Sequence, residues 1–278
     1  MAPNERVLCY VSSYNYVDYI GHTLDSILAQ SYQPLDIVVC DNKSTDGSID
    51  LIKEYQKRDP RIILIVHKEN FGPAPHGLNN ALALEKDRVK YAMLISSDDF
   101  MAPRYWESVL PYFSNPAIGF VSIGSICFNE HGDEALRPPR PLCGIGSMFA
   151  QNIVACSSPI RMELFHDLGY HDLAVAKFSD WDYWLRATLR GWKGAICGKP
   201  LYYSRLHGAS VTSNLRTNEP MIIHNKYKGF KEFYGGWGSL KVPEKVELQI
   251  FDWNPMEYID KIYIENMEVT WKEAQTRE

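Results

Sequence analysis

The sequence predicts an α/β fold in which a mostly parallel sheet carries helices on both faces. Over the first 100 residues, short apolar runs alternate with segments whose apolar residues recur at helical spacing. Each apolar run is followed by a cluster of polar residues, and the 278 residues suffice for one large domain with a buried core. Parallel strands need long crossover connections, usually helices, so this alternation favours a parallel sheet.

Four strands and three helices are predicted in this first part. The strands are the apolar runs at residues 6–11, 35–40, 62–66 and 91–95. The first helix carries its apolar face at Ile20, Leu24, Ile27 and Leu28. Pro34 prevents this helix from continuing.

The other two helices follow the second and third strands. The segment STDGSIDLIKEY predicts a capped helix start, where Ser44 or Asp46 can accept unpaired backbone N–H groups. The segment HGLNNALAL, residues 76–84, predicts the third helix.

Beyond Pro103 the alternation becomes less regular. The sequence predicts a strand at residues 120–128, a Pro/Gly-rich loop at 131–146, a helix within 179–192 and a strand running into a polar turn at 199–212. No element is predicted from about residue 236 onward.

Composition argues against several classes of protein. The net charge of −5 and the isoelectric point near 5.9 disfavour a nucleic-acid-binding protein, which usually has a basic face. No run approaches the roughly 20 apolar residues of a membrane-spanning helix, and the first residues lack a signal-peptide profile. The 6 cysteines lack CxxC spacing, which predicts reduced thiols in the core of a cytoplasmic protein.

The polar clusters mark one edge of the predicted sheet. They are SSYN after the first strand, DNKSTDGS after the second, HKENFGP after the third and SSDD after the fourth. Ligands of parallel α/β sheets bind outside the carboxyl ends of the strands, so the clusters predict a shared binding cleft.

Each cluster also has a purely structural interpretation. Asp98 and Asp99 suit a divalent cation bridging to a diphosphate, but they also suit the cap of a helix begun by Pro103. Asp41 and Asn42 can hydrogen-bond to a base edge or a ribose, or they can form turns.

Residues 11–48 resemble the opening of the family-2 glycosyltransferases, inverting enzymes of the GT-A fold that take sugars from nucleotide diphosphates. The similarity continues at NFGPAPHGLNNAL, at SSDD in the position of the family's DxD motif, at SDWDYWLRATLRG like its ED-containing acceptor helix, and at YYSRLHGAS. These pieces occur in the family's order between residues 6 and 213, which makes the resemblance more specific than any single motif.

The resemblance implies a metal-dependent inverting glycosyltransferase and a role for each matching residue. Asp180 would be the catalytic base. Mn²⁺ or Mg²⁺ would be held by Asp98 and Asp99, with His207 near the metal or the phosphates. The nucleotide would be contacted by Ser12, Tyr14, Asp41, Asn42, Asn79 and Asp98.

The resemblance also implies the partners and the division of the chain. The donor would be a nucleotide-diphosphate sugar, UDP-sugar being favoured over dTDP- or GDP-sugar. A hexosyl or N-acetylhexosaminyl group would pass to a glycan, lipid-linked or protein acceptor in polysaccharide, lipid-linked oligosaccharide or protein glycan synthesis. Residues 1–102 would form the nucleotide-sugar-binding half and 103–235 the acceptor-binding half of one GT-A domain, followed by a tail of unknown role at 236–278. The expected location is the cytoplasm, and the aromatic stretch FYGGWGSL is a candidate for peripheral membrane contact.

Three positions depart from the family pattern. Ser96 replaces the first acid of DxD, Asn42 replaces an aspartate often used against a uracil N–H, and Ser179 replaces the glutamate before the base. Ser96 and Ser179 motivate an alternative function, a catalytically silent sugar-nucleotide-binding scaffold of the same fold. A Rossmann-type oxidoreductase is disfavoured because no GxGxxG follows the first strand.

Structural roles stay open for several of these residues. Asp180 could be a buried partner of Arg186, and Asp182, two residues further on, points to a different face of the helix. His207 could be a hydrogen-bonded loop histidine, and Tyr14 could be a core residue. A core position or the wall of an acceptor pocket is predicted for Trp181, Trp184 and Trp192.

Overall fold

The computed structural model describes residues 5–73, 75–142, 145–208, 221–227 and 253–277 of the chain. Its strands, numbered in chain order, are β1 Val7–Ser13, β2 Leu35–Asp41, β3 Ile62–His67, β4 Tyr91–Ser96, β5 Phe100–Met101, β6 Ile118–Phe128, β7 Glu134–Arg137, β8 Ile160–Arg161, β9 Lys193–Arg205, β10 Ile259–Ile264 and β11 Met267–Val269. Its helices are α1 Val17–Leu28, α2 Ser48–Arg58, α3 His76–Glu85, α4 Tyr105–Val109, α5 Ile145–Ala150, α6 Met162–Leu168, α7 Ser179–Leu189, α8 Met221–Lys226 and α9 Trp271–Thr276.

The centre of the sheet is a parallel unit in the order β3-β2-β1-β4. Every residue of β2 and β3 is buried, which suits their apolar, β-branched runs. The chain builds β1, β2 and β3 in one direction and then places β4 on the other side of β1. The switch between the two directions, where α/β sheets bind ligands, therefore lies between β1 and β4.

Helices cover both faces of this unit, as predicted. On one face, Val7, Cys9 and Val11 of β1 pack in a core cluster with residues of α1, α2 and α4. On the other face, Leu8 and Tyr10 pack in a second cluster with residues of α3, α6 and α7. The alternation along β1 follows from the period-2 geometry of a strand.

Beyond β4 the sheet continues through β8, β6, β9 and β5, and β7 pairs with β6. The prediction of a loop over residues 131–146 is wrong in part, because β7 lies within it and α5 begins at Ile145. All residues of β7 are exposed, so hydrophobic periodicity gives no signal for this strand.

Residues 253–277 extend the sheet at its other edge. β10 pairs antiparallel with β3, and β11 pairs antiparallel with β10. Thr270 and Glu273 form a capping box at the start of α9, and Arg277 forms an ion pair with the buried Glu85 of α3. This part of the C-terminal tail therefore belongs to the same sheet as the first strands.

Four cysteines, Cys9, Cys40, Cys127 and Cys197, are buried free thiols, as predicted, whereas Cys156 is a free thiol at the surface. The sixth cysteine, at position 143, and the stretch FYGGWGSL lie outside the described residues. Across the described ranges, no helix combines the length and the apolar character of a membrane span.

The close packing of α3 on the sheet depends on Gly77. A Cβ at this position would collide with the Tyr10 hydroxyl and would lie 2.9 Å from the Cβ of Cys40. We expect Gly77→Ala to lower the free energy of unfolding by about 1–3 kcal/mol through overpacking, although alanine is the better helix former. Urea denaturation measures this change. Gly198→Ala is the control, because a Cβ there meets nothing within 4 Å; equal losses in the two variants would contradict the close approach.

Candidate active site

A cleft of about 640 Å³ opens at the carboxyl ends of β1, β2 and β4. The sheet forms one wall, and residues of α3 and α7 form the other. Ser12, Asn42 and Ser96 line the cleft from the strand ends, and Asp180 lines it from α7. The register places Ser12 level with Cys40 of β2 and with Ser96 of β4, which is why the polar clusters meet.

Asp180 lies in the first turn of α7. Its Oδ2 accepts a hydrogen bond of 2.7 Å from the side-chain Nδ2 of Asn152, which also lines the cleft. Burial raises the pKa of Asp180, and the hydrogen bond from Asn152 opposes the rise. A carboxylate with a raised pKa accepts a proton more readily, which suits a general base.

The buried partner of Arg186 is Asp182 rather than Asp180. Arg186 Nε donates to Asp182 Oδ2 at 2.9 Å, and both side chains are almost wholly buried. The Tyr227 hydroxyl and the Lys226 ammonium lie 2.6 and 2.5 Å from Asp182 Oδ1. Asp182 therefore anchors α7, and Asp180 faces the cleft.

Asp98 and Asp99 follow β4 and are both buried. Asp99 accepts hydrogen bonds from the Tyr202 hydroxyl and from the Arg205 backbone N–H, each at 2.8 Å. Burial, and then the charge of Asp98, raise the pKa of Asp99 to about 7. Asp98 Oδ2 lies 2.8 Å from Nε2 of His207, so the structure brings these two predicted residues together.

The donor atoms of this group suit a cation only in part. Carboxylate oxygen suits Mn²⁺ and Mg²⁺ and imidazole nitrogen suits transition metals, so Asp98 with His207 fits Mn²⁺ better than Mg²⁺. Asp99 fits less well, because both its oxygens already accept hydrogen bonds. Among the described residues, no group of three or more His, Cys, Asp or Glu side chains is arranged to hold a metal ion. The alternative helix cap is not observed either, since Arg104 is the N-cap residue of α4 and its first turn has no side-chain cap.

Asp41 is fully buried, and both oxygens of its carboxylate accept hydrogen bonds from other groups of the protein. Oδ1 accepts the Ser44 backbone N–H at 2.7 Å, and Oδ2 accepts the hydroxyls of Ser44 and Ser13 at 2.7 and 2.8 Å. Asp46 accepts the backbone N–H groups of Val17 and Ser48 at the starts of α1 and α2, as predicted, although the N-cap residue of α2 is Gly47. These carboxylates join the loops that follow β1 and β2.

The side-chain amide of Asn42 also has all its hydrogen bonds within the protein. Oδ1 accepts the Phe71 backbone N–H at 3.2 Å and lies 2.9 Å from Nδ1 of His67. Nδ2 donates to Oδ1 of Asn70 at 2.9 Å and to the carbonyl of Gly72 at 3.1 Å. Asn42 thus holds the loop that follows β3.

The other predicted nucleotide contacts differ in their exposure. Ser12 is exposed and lines the cleft, and Tyr14 is 40% exposed just beyond β1, which argues against a core position. Asn79 is buried, and its amide donates to the His171 carbonyl at 3.0 Å and accepts the His171 N–H at 2.9 Å. Asn79 joins α3 to the segment before α7, and its contact with a nucleotide stays a prediction.

Cys156 shows how the two acidic regions are related. Cys156 lines the cleft and is exposed there, and the charges of Asp180 and Asp99 act on its thiol to raise its pKa. Cys156 and Asp180 both line the cleft, and Asp99 is near enough for its charge to act on the same thiol.

Sequence reasoning missed Asn152, Tyr202 and Arg205 as parts of this site. Tyr202 and Arg205 lie within YYSRLHGAS, so a residue-by-residue comparison of that segment could have found them. Asn152 lies outside every matched motif and gives no signal. Trp181 and Trp184 are buried in the cleft wall, whereas Trp192 is half-buried and donates to Asp167.

A family model described as glycosyl transferase family 2 matches residues 9–163. The chain is 26% identical over 212 residues to the Escherichia coli UDP-Glc:alpha-D-GlcNAc-diphosphoundecaprenol beta-1,3-glucosyltransferase WfaP, covering 76% of this chain and 81% of that protein. It is 31% identical over 133 residues to the putative teichuronic acid biosynthesis glycosyltransferase TuaG of Bacillus subtilis, covering 47% of this chain and 52% of that protein.

Solved glycosyltransferase structures share the fold. The S. aureus TarS structure with UDP-GlcNAc superposes with a TM-score of 0.62 at 17% identity, covering 76% of this chain and 62% of that one. The Pyrobaculum calidifontis mannosyltransferase PcManGT with GDP-Man and Mn²⁺ superposes with a TM-score of 0.58 at 22% identity, covering 74% and 59%. This chain therefore spans about 60% of the length of these structures, and the predicted GT-A fold is confirmed.

The hydrogen bond from Asn152 favours the charged form of Asp180, so its loss should raise the pKa of Asp180 further. A hydrogen bond contributes about 0.5–1.5 kcal/mol, so we expect Asn152→Ala to increase the proton affinity of this carboxyl roughly 2- to 10-fold. A carbon-13 NMR titration of the aspartate carboxyls measures the change. Gln151→Ala is the control, because this neighbouring amide bonds to Arg140 instead; an unchanged titration in Asn152→Ala would show that the hydrogen bond is not formed in solution.

Proposed function

We propose that the chain, which belongs to glycosyl transferase family 2, is an inverting enzyme that transfers a sugar from a nucleotide-diphosphate donor to an acceptor hydroxyl. The position of Asp180 carries this proposal: a carboxylate with a raised pKa in the wall of a cleft at the carboxyl ends of parallel strands. The family match and the glycosyltransferase relatives support the class of reaction.

In this proposal Asp180 takes the proton of the acceptor hydroxyl. The hydroxyl oxygen attacks the anomeric carbon from the side opposite the nucleotide, and the bond from that carbon to the diphosphate breaks with its electron pair. A positioned base contributes about 10²–10⁴-fold to such a step. Asn152 orients the carboxylate, and the Asp182–Arg186 pair fixes the helix that carries it.

The nucleotide is assigned to the rim formed by the loops after β1, β2 and β3. Ser12 offers a hydroxyl in the cleft, and the exposed ring of Tyr14 offers a stacking surface. Asp41 and Asn42 shape these loops, so they act on the nucleotide through the backbone they hold. UDP-sugar is the favoured donor because WfaP is named for UDP-Glc and TarS was solved with UDP-GlcNAc.

A divalent cation, if bound, is assigned to Asp98 and His207. It would offset the charge that develops on the departing diphosphate, an effect of several kcal/mol per unit charge at about 4 Å and an effective dielectric constant near 20. Asp99 supports this site by holding Tyr202 and Arg205. The mannosyltransferase solved with Mn²⁺ supports the choice of manganese.

The acceptor is assigned to the class of glycan, lipid-linked or protein hydroxyls. A lipid-linked acceptor is favoured, because the name of WfaP contains diphosphoundecaprenol. The transferred group is a hexosyl or N-acetylhexosaminyl group.

Replacing the base should remove transfer without removing donor binding. We expect Asp180→Asn to lower kcat for sugar transfer about 10²–10⁴-fold, while the affinity for the nucleotide stays near that of the wild type. Transfer is measured with candidate acceptors, and donor hydrolysis is measured alongside it. Asp50→Asn, an exposed aspartate in the first turn of α2, is the matched control. Full transfer by Asp180→Asn would contradict the assignment. A wild-type chain that binds donors but neither transfers nor hydrolyses them would favour the silent scaffold.

The cation assignment predicts that nucleotide binding depends on manganese. A ligand of the native state raises the melting temperature, so we expect UDP-sugar to raise it more with Mn²⁺ than without, and dTDP- and GDP-sugars serve as comparisons. Asp98→Asn and His207→Ala should abolish the manganese-dependent part of the rise. His131→Ala, an exposed histidine, should keep it. A rise that is the same with and without manganese would contradict the site.

A further inference from the structure

A chain of hydrogen bonds, called the relay below, joins Trp253 through Asn80 and His67 to Asn42 at the rim of the cleft. Trp253 Nε1 donates to Oδ1 of Asn80 at 2.9 Å, and Nδ2 of Asn80 lies 3.1 Å from Nε2 of His67. Nδ1 of His67 lies 2.9 Å from Oδ1 of Asn42. His67 and Asn80 are 2% and 0% exposed, so water cannot replace these partners.

The direction of the bonds is set at both ends, by the indole N–H of Trp253 and by the backbone N–H of Phe71, and the two ends agree. An indole N–H can only donate, so Asn80 must present its oxygen to Trp253 and its Nδ2 to His67. Nε2 of His67 must then accept, which places the ring proton on Nδ1, where it donates to Oδ1 of Asn42. Burial lowers the pKa of His67 to about 4, with the nearby His76 as the second cause, so the ring is neutral at pH 7 and has a single proton to place.

The relay ends in the loop that lines the cleft. With its oxygen turned to His67 and to the Phe71 N–H, Asn42 directs Nδ2 to Asn70 and to the carbonyl of Gly72. Gly72 lines the cleft beside Asn42. An aspartate at position 42 could not donate either of these last two bonds, so the departure from the family pattern is matched to this loop.

We propose that Trp253, Asn80 and His67 are positioning residues for the nucleotide: the donor-only indole of Trp253 holds Asn80 and His67 in place against the amide of Asn42, and so supports the loop at residues 70–72. The nucleotide part of this inference rests on the proposed function. It makes residues 253–264 part of the donor site, because Trp253 bonds to Asn80 of α3 and β10 pairs with β3.

Two measurements test the relay, and the first needs no nucleotide. A long-range proton–nitrogen-15 NMR spectrum of the histidine rings should show His67 protonated at Nδ1 and bare at Nε2 at pH 7, with the signal assigned by its loss in His67→Phe. A proton on Nε2 would overturn the relay.

The second measurement is the affinity for UDP, GDP and dTDP by calorimetry. We expect Trp253→Phe, which keeps the ring stacked on Tyr258 but loses the donor, to raise the Kd of the nucleotide that binds about 2- to 10-fold. The kcat at saturating donor should stay unchanged, which a general loss of structure would not allow. Tyr258→Phe keeps the same stack and stands outside the relay, so its Kd should equal that of the wild type.

The outcomes separate the two proposals. An unchanged Kd in a folded Trp253→Phe overturns the positioning role and leaves the proposed function intact. A wild-type chain that binds none of the three nucleotides overturns the proposed function and the nucleotide role of the relay together. The tautomer of His67 then tests only whether the hydrogen bonds from Asn80 to Asn42 form in solution.

Discussion

The parallel register of β2, β1 and β4 is the constraint on which the site depends. Because Ser12 lies level with Cys40 and with Ser96, the residues that follow these strands leave the sheet at the same height. The switch of chain direction between β1 and β4 separates the following loops enough to leave a cleft. A slip of one residue in either pairing would turn the cleft-facing side chains to the opposite face of the sheet.

The carboxylates in and around the cleft differ in the hydrogen bonds they receive. Asp41, Asp99 and Asp182 each take two or more bonds from the protein, and such partners offset the large cost of burying a charge. These three hold loops or a helix in place. Asp180 is half-buried and lines the cleft with Asn152 as its side-chain partner, and Asp98 is buried beside His207. The same residue type thus holds the loops together and lines the cleft.

The sequence predicted the elements whose residues carry a strong periodic signal. β1 to β4 and α1 to α3 were predictable because buried strands read as apolar runs and amphipathic helices repeat every 3.6 residues. β7 was not predictable, because its side chains are all exposed. The pairing of β10 with β3 was not predictable either, because the two strands lie about 200 residues apart in the chain. In the site, the ordered motifs predicted Asp180, Asp98 and His207, of which Asp180 lines the cleft and Asp98 pairs with His207, while their roles stay predictions. The partners Asn152 and Trp253 lie 28 and 173 residues from the side chains they orient, and no local pattern encodes such a contact.

The pairing of β10 with β3 has a further consequence for the behaviour of the chain in solution. β3 is six residues of buried, mainly β-branched side chains, IILIVH, and β10 hydrogen-bonds to the side of it that faces away from β2. Left uncovered, a strand of this kind is a template onto which another molecule can add, because its unpaired backbone groups point outward. The C-terminal hairpin therefore shields the protein from edge-to-edge aggregation.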